Sequence, residues 1–140
     1  MKKLTALLLI LVMVFAFSSV AMAAPYYVSG DDTGNAWDLL TITNPEYTSV
    51  TVFDPVYVIS GYAAQWSTVN IYRMNDMGSY ELMPCEMYVG GSGIFFQQVN
   101  LRGGKNMLVV RVDMPDGRYQ QVRCDVTLLG QSFLDYIKNL

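Results

Sequence analysis

Apolar and polar positions alternate with period two along most of this chain, and turn-forming residues interrupt the alternation at short intervals. Leu39 to Thr43 is a short β-prone run closed by Asn44-Pro45, and Ser49 to Phe53 is a second, closed by Asp54-Pro55. Val56 to Ser60 is a third, which Gly61 is expected to end. In Thr68 to Met74, Val69, Ile71 and Arg73 alternate with Asn70 and Tyr72, which places Tyr72 on the outer face. Asn75-Asp76-Met77-Gly78 reads as a hairpin turn into Tyr80 to Met83, and Pro84 interrupts that edge. Cys85, Met87 and Val89 continue with period two up to the loop Gly90-Gly91-Ser92-Gly93. Phe95 to Leu101 follows, then a turn at Arg102 to Asn106, then Leu108, Val110 and Val112 on one parity. Pro115-Asp116-Gly117 is a strong turn signal. In the last run, Tyr119 to Leu129, the residues Val122, Cys124, Val126 and Leu128 share one face, expected to point inward opposite Phe95, Leu101 and Val110.

About seven or eight short strands, with turns roughly every 8–12 residues, predict an all-β sandwich with Greek-key connections. Residues 38–129 form this domain. The segment 130–140 differs in kind: Phe133, Tyr136, Ile137 and Leu140 recur at helical spacing, with Ser132 placed to cap. It predicts a short amphipathic helix whose apolar stripe must dock, either on its own sandwich or on a partner. Residues 24–37 are small, polar and turn-forming, and read as a flexible lead-in. Within them Asp31-Asp32 lacks the alternating spacing and terminal Glu of a calcium loop, so no metal site is assigned.

The N-terminus changes the setting. Lys2 and Lys3 precede an apolar run from Leu4 to Phe17, which ends in Ala21-Met22-Ala23. Residues 1–23 therefore read as a secretory signal peptide cleaved before Ala24, and the chain as extracellular or cell-surface associated, with no membrane span after cleavage. Removing residues 1–23 from the 140 leaves 117, with seven basic residues against twelve acidic and a formal charge of −5. That balance argues against nucleic acid and anionic membrane as partners. An exported chain with two cysteines, Cys85 and Cys124, leads one to expect a disulfide, the alternative being two buried thiols. The sequence contains no histidine, and so lacks the commonest general base and metal ligand. No Ser-x-x-Lys setting or paired carboxylates replace it, so no catalytic residue and no cofactor is assigned.

Residues 40–128 resemble the bacterial immunoglobulin-like modules of secreted and surface proteins, in the form attached to glucodextranase-type enzymes. The resemblance is carried by Leu40-Thr41-Ile42 with Pro45, Tyr57 to Gly61, Val69-Asn70-Ile71, Gly93-Ile94-Phe95, Val99-Asn100-Leu101, Gly104-Lys105-Asn106, Val110-Arg111-Val112 and Asp116-Gly117. It is most specific from Gly93 to Gly117. Cys85, Cys124, the tyrosine-rich arm and the C-terminal helix depart from the pattern. The resemblance implies an immunoglobulin-like fold and no activity of its own.

Aromatic residues exceed what a core of this size needs, and Tyr62, Trp66 and Tyr72 are the candidate ligand-binding residues. Outward Tyr and Trp stack on sugar rings or fill a protein hot spot, although outward tyrosines are also ordinary strand formers. The expectation is a non-catalytic binding or adhesion module that contacts protein or glycan at the cell surface or in the matrix. The alternatives are a self-associating subunit of a surface assembly and a small secreted protease inhibitor.

Overall fold

The computed structural model describes residues 28–140, so the signal peptide assigned to residues 1–23 lies outside the described residues. Among these described residues nine strands and one helix follow in order: β1 (Leu40–Asn44), β2 (Ser49–Val52), β3 (Val56–Ala63), β4 (Thr68–Met74), β5 (Tyr80–Leu82), β6 (Met87–Tyr88), β7 (Ile94–Asn100), β8 (Gly104–Asp113), β9 (Tyr119–Leu128) and α1 (Gln131–Lys138). The strands form two sheets. One has the order β1-β3-β7 and is antiparallel throughout. The other has the order β2-β9-β8-β4-β5, with β6 also on β4, and β2 runs parallel to β9.

The core fills the space between the sheets. Ile59, Phe95 and Val99 from the smaller sheet meet Val69, Ile71, Leu108, Val110, Val112, Cys124 and Val126 from the larger one. The alternating parity of β9 thus holds, with Val122 and Leu128 half-buried on either side of Cys124 and Val126. Asn106 pins the corner before the long hairpin. Its Nδ2 donates to the carbonyls of Arg102, Gly104 and Val126, and its Oδ1 accepts from the Arg102 amide. Every polar atom of this buried side chain is therefore paired.

Several elements differ from the sequence reading. β3 runs through Gly61 to Ala63, because Gly61 lets β1 approach. A Cβ there would lie 2.1 Å from the Thr41 carbonyl oxygen, so the glycine serves close packing rather than termination. The helix starts at Gln131 with Gly130 in extended backbone as its N-cap, and Ser132 makes no capping bond.

Residues 28–36 do not trail away as a lead-in: Val28 lies on the outer face of the larger sheet, residues 33–36 hydrogen-bond along the edge of β9, and Ala36 enters the core. Val28 packs with Tyr72, Val109 and Tyr80. Gly34 bridges Gln120, and Asn35 exchanges hydrogen bonds with Tyr119 through both its backbone and its side chain. Gln121 Nε2 donates to the carbonyls of Ser29 and Asp32. Gly and Asn are turn formers in the sequence, but here they also let the segment follow the sheet closely. A Cβ at Gly34 would lie 2.3 Å from the Tyr119 carbonyl oxygen.

The two cysteines are free. Cys124 sits on β9 opposite Leu108 of β8, whereas Cys85 lies between β5 and β6, both of which pair with β4. They share a sheet but are about three strand spacings apart, roughly 14 Å, well outside disulfide reach. Inward parity was common to both residues, and the strand order separates them.

Candidate functional site

The outward aromatic residues divide between two places. Tyr72 is on the outer face of β4, as the alternation requires, but Val28 and Tyr80 cover it, leaving it 4% exposed. Burial raises the pKa of its phenol and of Tyr80. Tyr72 is therefore a packing residue for the N-terminal segment and is removed from the candidate site.

Tyr62 and Trp66 remain, at 58% and 56% exposed, and Tyr88 joins them at 64%. The Trp66 and Tyr88 rings are tilted at 42° with centroids 6.4 Å apart. The backbone beneath is laced tightly. The Trp66 amide donates to Val89 O at 2.9 Å, the Val89 amide to Ser67 O at 2.8 Å, and Gln65 Nε2 to Gly91 O at 2.6 Å. Ser67, fully buried, donates from its hydroxyl to Ala64 O. Two short loops, 64–67 and 89–93, thus brace each other. Trp66 has φ of +66°, the only non-glycine with positive φ among the described residues. An L-residue of this bulk costs about 1–2 kcal/mol in that region. The brace holds the indole outward despite that cost.

From this end an apolar surface extends across the outer face of the smaller sheet. Tyr62 pairs with Ile94, and Phe96, 69% exposed, sits beside Ser60 on the next outward row. Val58 and Val56 continue the exposed apolar positions along β3. No residue of β1, β3 or β7 carries a charge. Tyr88, Ile94 and Phe96 were missed in the sequence. The signal was present in the runs Val56-Tyr57-Val58-Ile59 and Ile94-Phe95-Phe96, which are apolar on both parities where a sheet with one wet face alternates.

A second concavity, of about 530 Å³, lies between the N-terminal segment and β9, with Trp37 at its rim and Ala36, Thr48, Ser49, Val122 and Arg123 among its walls. Its charged and amide groups are already engaged. Asp125 accepts from Arg123 and pairs with Lys105, and Gln120 Oε1 accepts from the amides of Leu39 and Leu40. The nearby buried Arg111 is likewise occupied: it pairs with Asp113 at 2.8 Å, donates to Gln121 Oε1 and lies 4.0 Å over the Tyr119 ring. The Asp32 carboxylate accepts from the Gly34 amide and the Tyr119 hydroxyl, which is a structural use of the acidic cluster. Burial pushes the Cys124 thiol up to about 11, which keeps it protonated and a poor nucleophile near neutral pH.

Among the described residues no helix is long and apolar enough to cross a membrane. Comparison with known proteins finds no matching family model, curated protein or solved structure.

Proposed function

We propose that this chain is a secreted, non-catalytic immunoglobulin-like module that binds polysaccharide at the cell surface or in the matrix through Tyr62, Trp66 and Tyr88. The strand order supports the immunoglobulin-like part of this reading. β1-β3-β7 facing β9-β8-β4 corresponds to the A-B-E and G-F-C strands of that fold, with β2 as a split-off piece of the first strand. Export rests on the leader-like residues 1–23, and the intact mass of the exported protein, beginning at Ala24, tests it.

The observation that carries the binding reading is Trp66, an exposed indole held at positive φ beside Tyr88. Backbone strain kept under an outward aromatic is expected where the side chain has a task. Sugar rings present apolar C–H faces that stack on such rings while their hydroxyls stay in water. Affinity electrophoresis against a panel of cell-wall and matrix polysaccharides tests the proposal. Retardation by at least one polymer is expected, and loss of roughly tenfold in affinity for Trp66→Ala. Equal mobility with and without every polymer, or an unaffected Trp66→Ala variant, rejects it.

A further inference from the structure

We infer that α1 of one copy docks on the outer face of the β1-β3-β7 sheet of a second copy, so that the protein self-associates through two apolar surfaces of its own chain. The helix leaves Phe133, Tyr136 and Ile137 exposed, and Leu140 just beyond its end is exposed too. Eight helical residues do not hold together in water without a surface to pack on. The sheet leaves Val56, Val58, Tyr62, Ile94 and Phe96 exposed. Its edge strand β7 has neither the charges nor the proline that usually protect an open edge.

The two surfaces match in size and character. The eight-residue helix is about 12 Å long. Three strands spaced by about 4.8 Å give a face roughly 10 Å across, and β3 extends it beyond the helix length. The absence of charge on the three strands means that no ion is stripped of water when the helix covers them.

Within one chain this contact is out of reach. The Leu129 amide donates to Val52 O at 2.9 Å, which fixes the chain on the larger sheet. Only Gly130 then separates that anchor from the helix. One residue spans about 3.5 Å, whereas the outer face of the other sheet lies beyond a sheet spacing of about 10 Å. A second copy has no such tether. Two helices exchanged reciprocally bury on the order of 1,200–1,600 Å², the size of a stable dimer. This face and the polysaccharide surface share Tyr62, and their readouts separate the two readings: mass for this one, retardation by polymer for the other.

Sedimentation velocity of the chain lacking residues 1–23 tests it, with Phe133→Asp/Ile137→Asp as the helix variant and Phe96→Asp as the face variant. All three side chains are exposed, and Val58→Asp is a second face variant should Phe96→Asp misfold. The parent is expected to be dimeric, and each variant to associate on the order of thirtyfold more weakly or not at all. Mixing the helix variant with the face variant keeps one helix and one face, half of the exchanged contact, so their 1:1 pair is expected to be much weaker than the parent dimer. A parent that stays monomeric up to about 100 µM, a variant that dimerises like the parent, or a mixture that associates as tightly as the parent overturns the inference.

Discussion

The Tyr119 hydroxyl donates to Asp32 Oδ2 at 2.9 Å, joining the first residue of β9 to a segment 87 positions earlier. The same carboxylate accepts from the Gly34 amide at 2.8 Å. Asp32 thus fastens the N-terminal segment over the larger sheet. Tyr119→Phe should lower stability by about 1–2 kcal/mol, and Asp32→Ala by more, because it also orphans the Gly34 amide. In a double-mutant cycle the two losses should be non-additive. Limited proteolysis should then cut within residues 28–36 sooner than in the parent. An unchanged cleavage pattern would show that the segment is held elsewhere.

Asn106 predicts a larger effect. Replacing it by Leu leaves the carbonyls of Arg102, Gly104 and Val126 and the Arg102 amide without their partner in a buried corner. A loss of about 2–4 kcal/mol is expected in the unfolding free energy from denaturant titration. Asn106→Asp should be at least as damaging, since an oxygen would then face carbonyl oxygens where Nδ2 now donates. An unfolding free energy within about 0.5 kcal/mol of the parent would contradict the accounting.

The cysteines should titrate as two thiols per chain in denatured, unreduced protein. Cys124 also sets a pH dependence. Burial lifts its thiol from 9.0 to about 11, so the unfolded chain loses this proton first as pH rises. The stability this contributes is complete below about pH 9 and lost progressively toward about pH 11, amounting to about 2–3 kcal/mol. Tyr57, Tyr72 and Tyr80, raised by burial, and Tyr119, raised by its bond to Asp32, act with the same sign at higher pH. Cys124→Ala should flatten the slope of stability between pH 9 and 11; an equal slope in both proteins excludes the thiol as its source.

Gly61 and Gly78 separate two uses of glycine. A Cβ at Gly61 would strike the Thr41 carbonyl and push β1 off β3, whereas at Gly78, with φ of +80°, it would meet nothing within 4 Å. Gly61→Ala should therefore cost well over 2 kcal/mol and Gly78→Ala only about 1 kcal/mol, the strain of the positive φ alone. Thermal midpoints of the two variants give the comparison. Equal shifts would mean that β1 moves aside freely.

Local pattern carried the sheet parity, the turns and the C-terminal helix, because each depends on residues a few positions apart. The burial of Phe95, Val110 and Val126 follows from neighbours in the chain. The errors share a different origin. Whether Cys85 meets Cys124 depends on strand order, which period two does not encode. Whether Tyr72 meets solvent depends on Val28, which lies 44 positions before it and covers it. Gly61 read as a stop because its close neighbour, Thr41, lies on another strand. The aromatic site was half legible: Tyr62 and Trp66 lie in its own loop and strand, whereas Tyr88 arrives through the pairing of β6 with β4.

Trp66 offers a substitution that separates binding from stability. At φ of +66° glycine is unstrained, so Trp66→Gly relieves about 1–2 kcal/mol of backbone cost. Against that stand the contacts of a ring that remains 56% exposed and touches Tyr88 at one side. The two terms are of similar size, so the thermal midpoint should move little and in either direction. Trp66→Ala keeps the strain and loses the ring, and should be the less stable of the pair by about 1 kcal/mol. If the indole is present for stacking, both variants lose polysaccharide retardation equally although their stabilities differ. Retardation that follows stability instead would make Trp66 a structural residue and return the aromatic surface to Tyr62 and its neighbours.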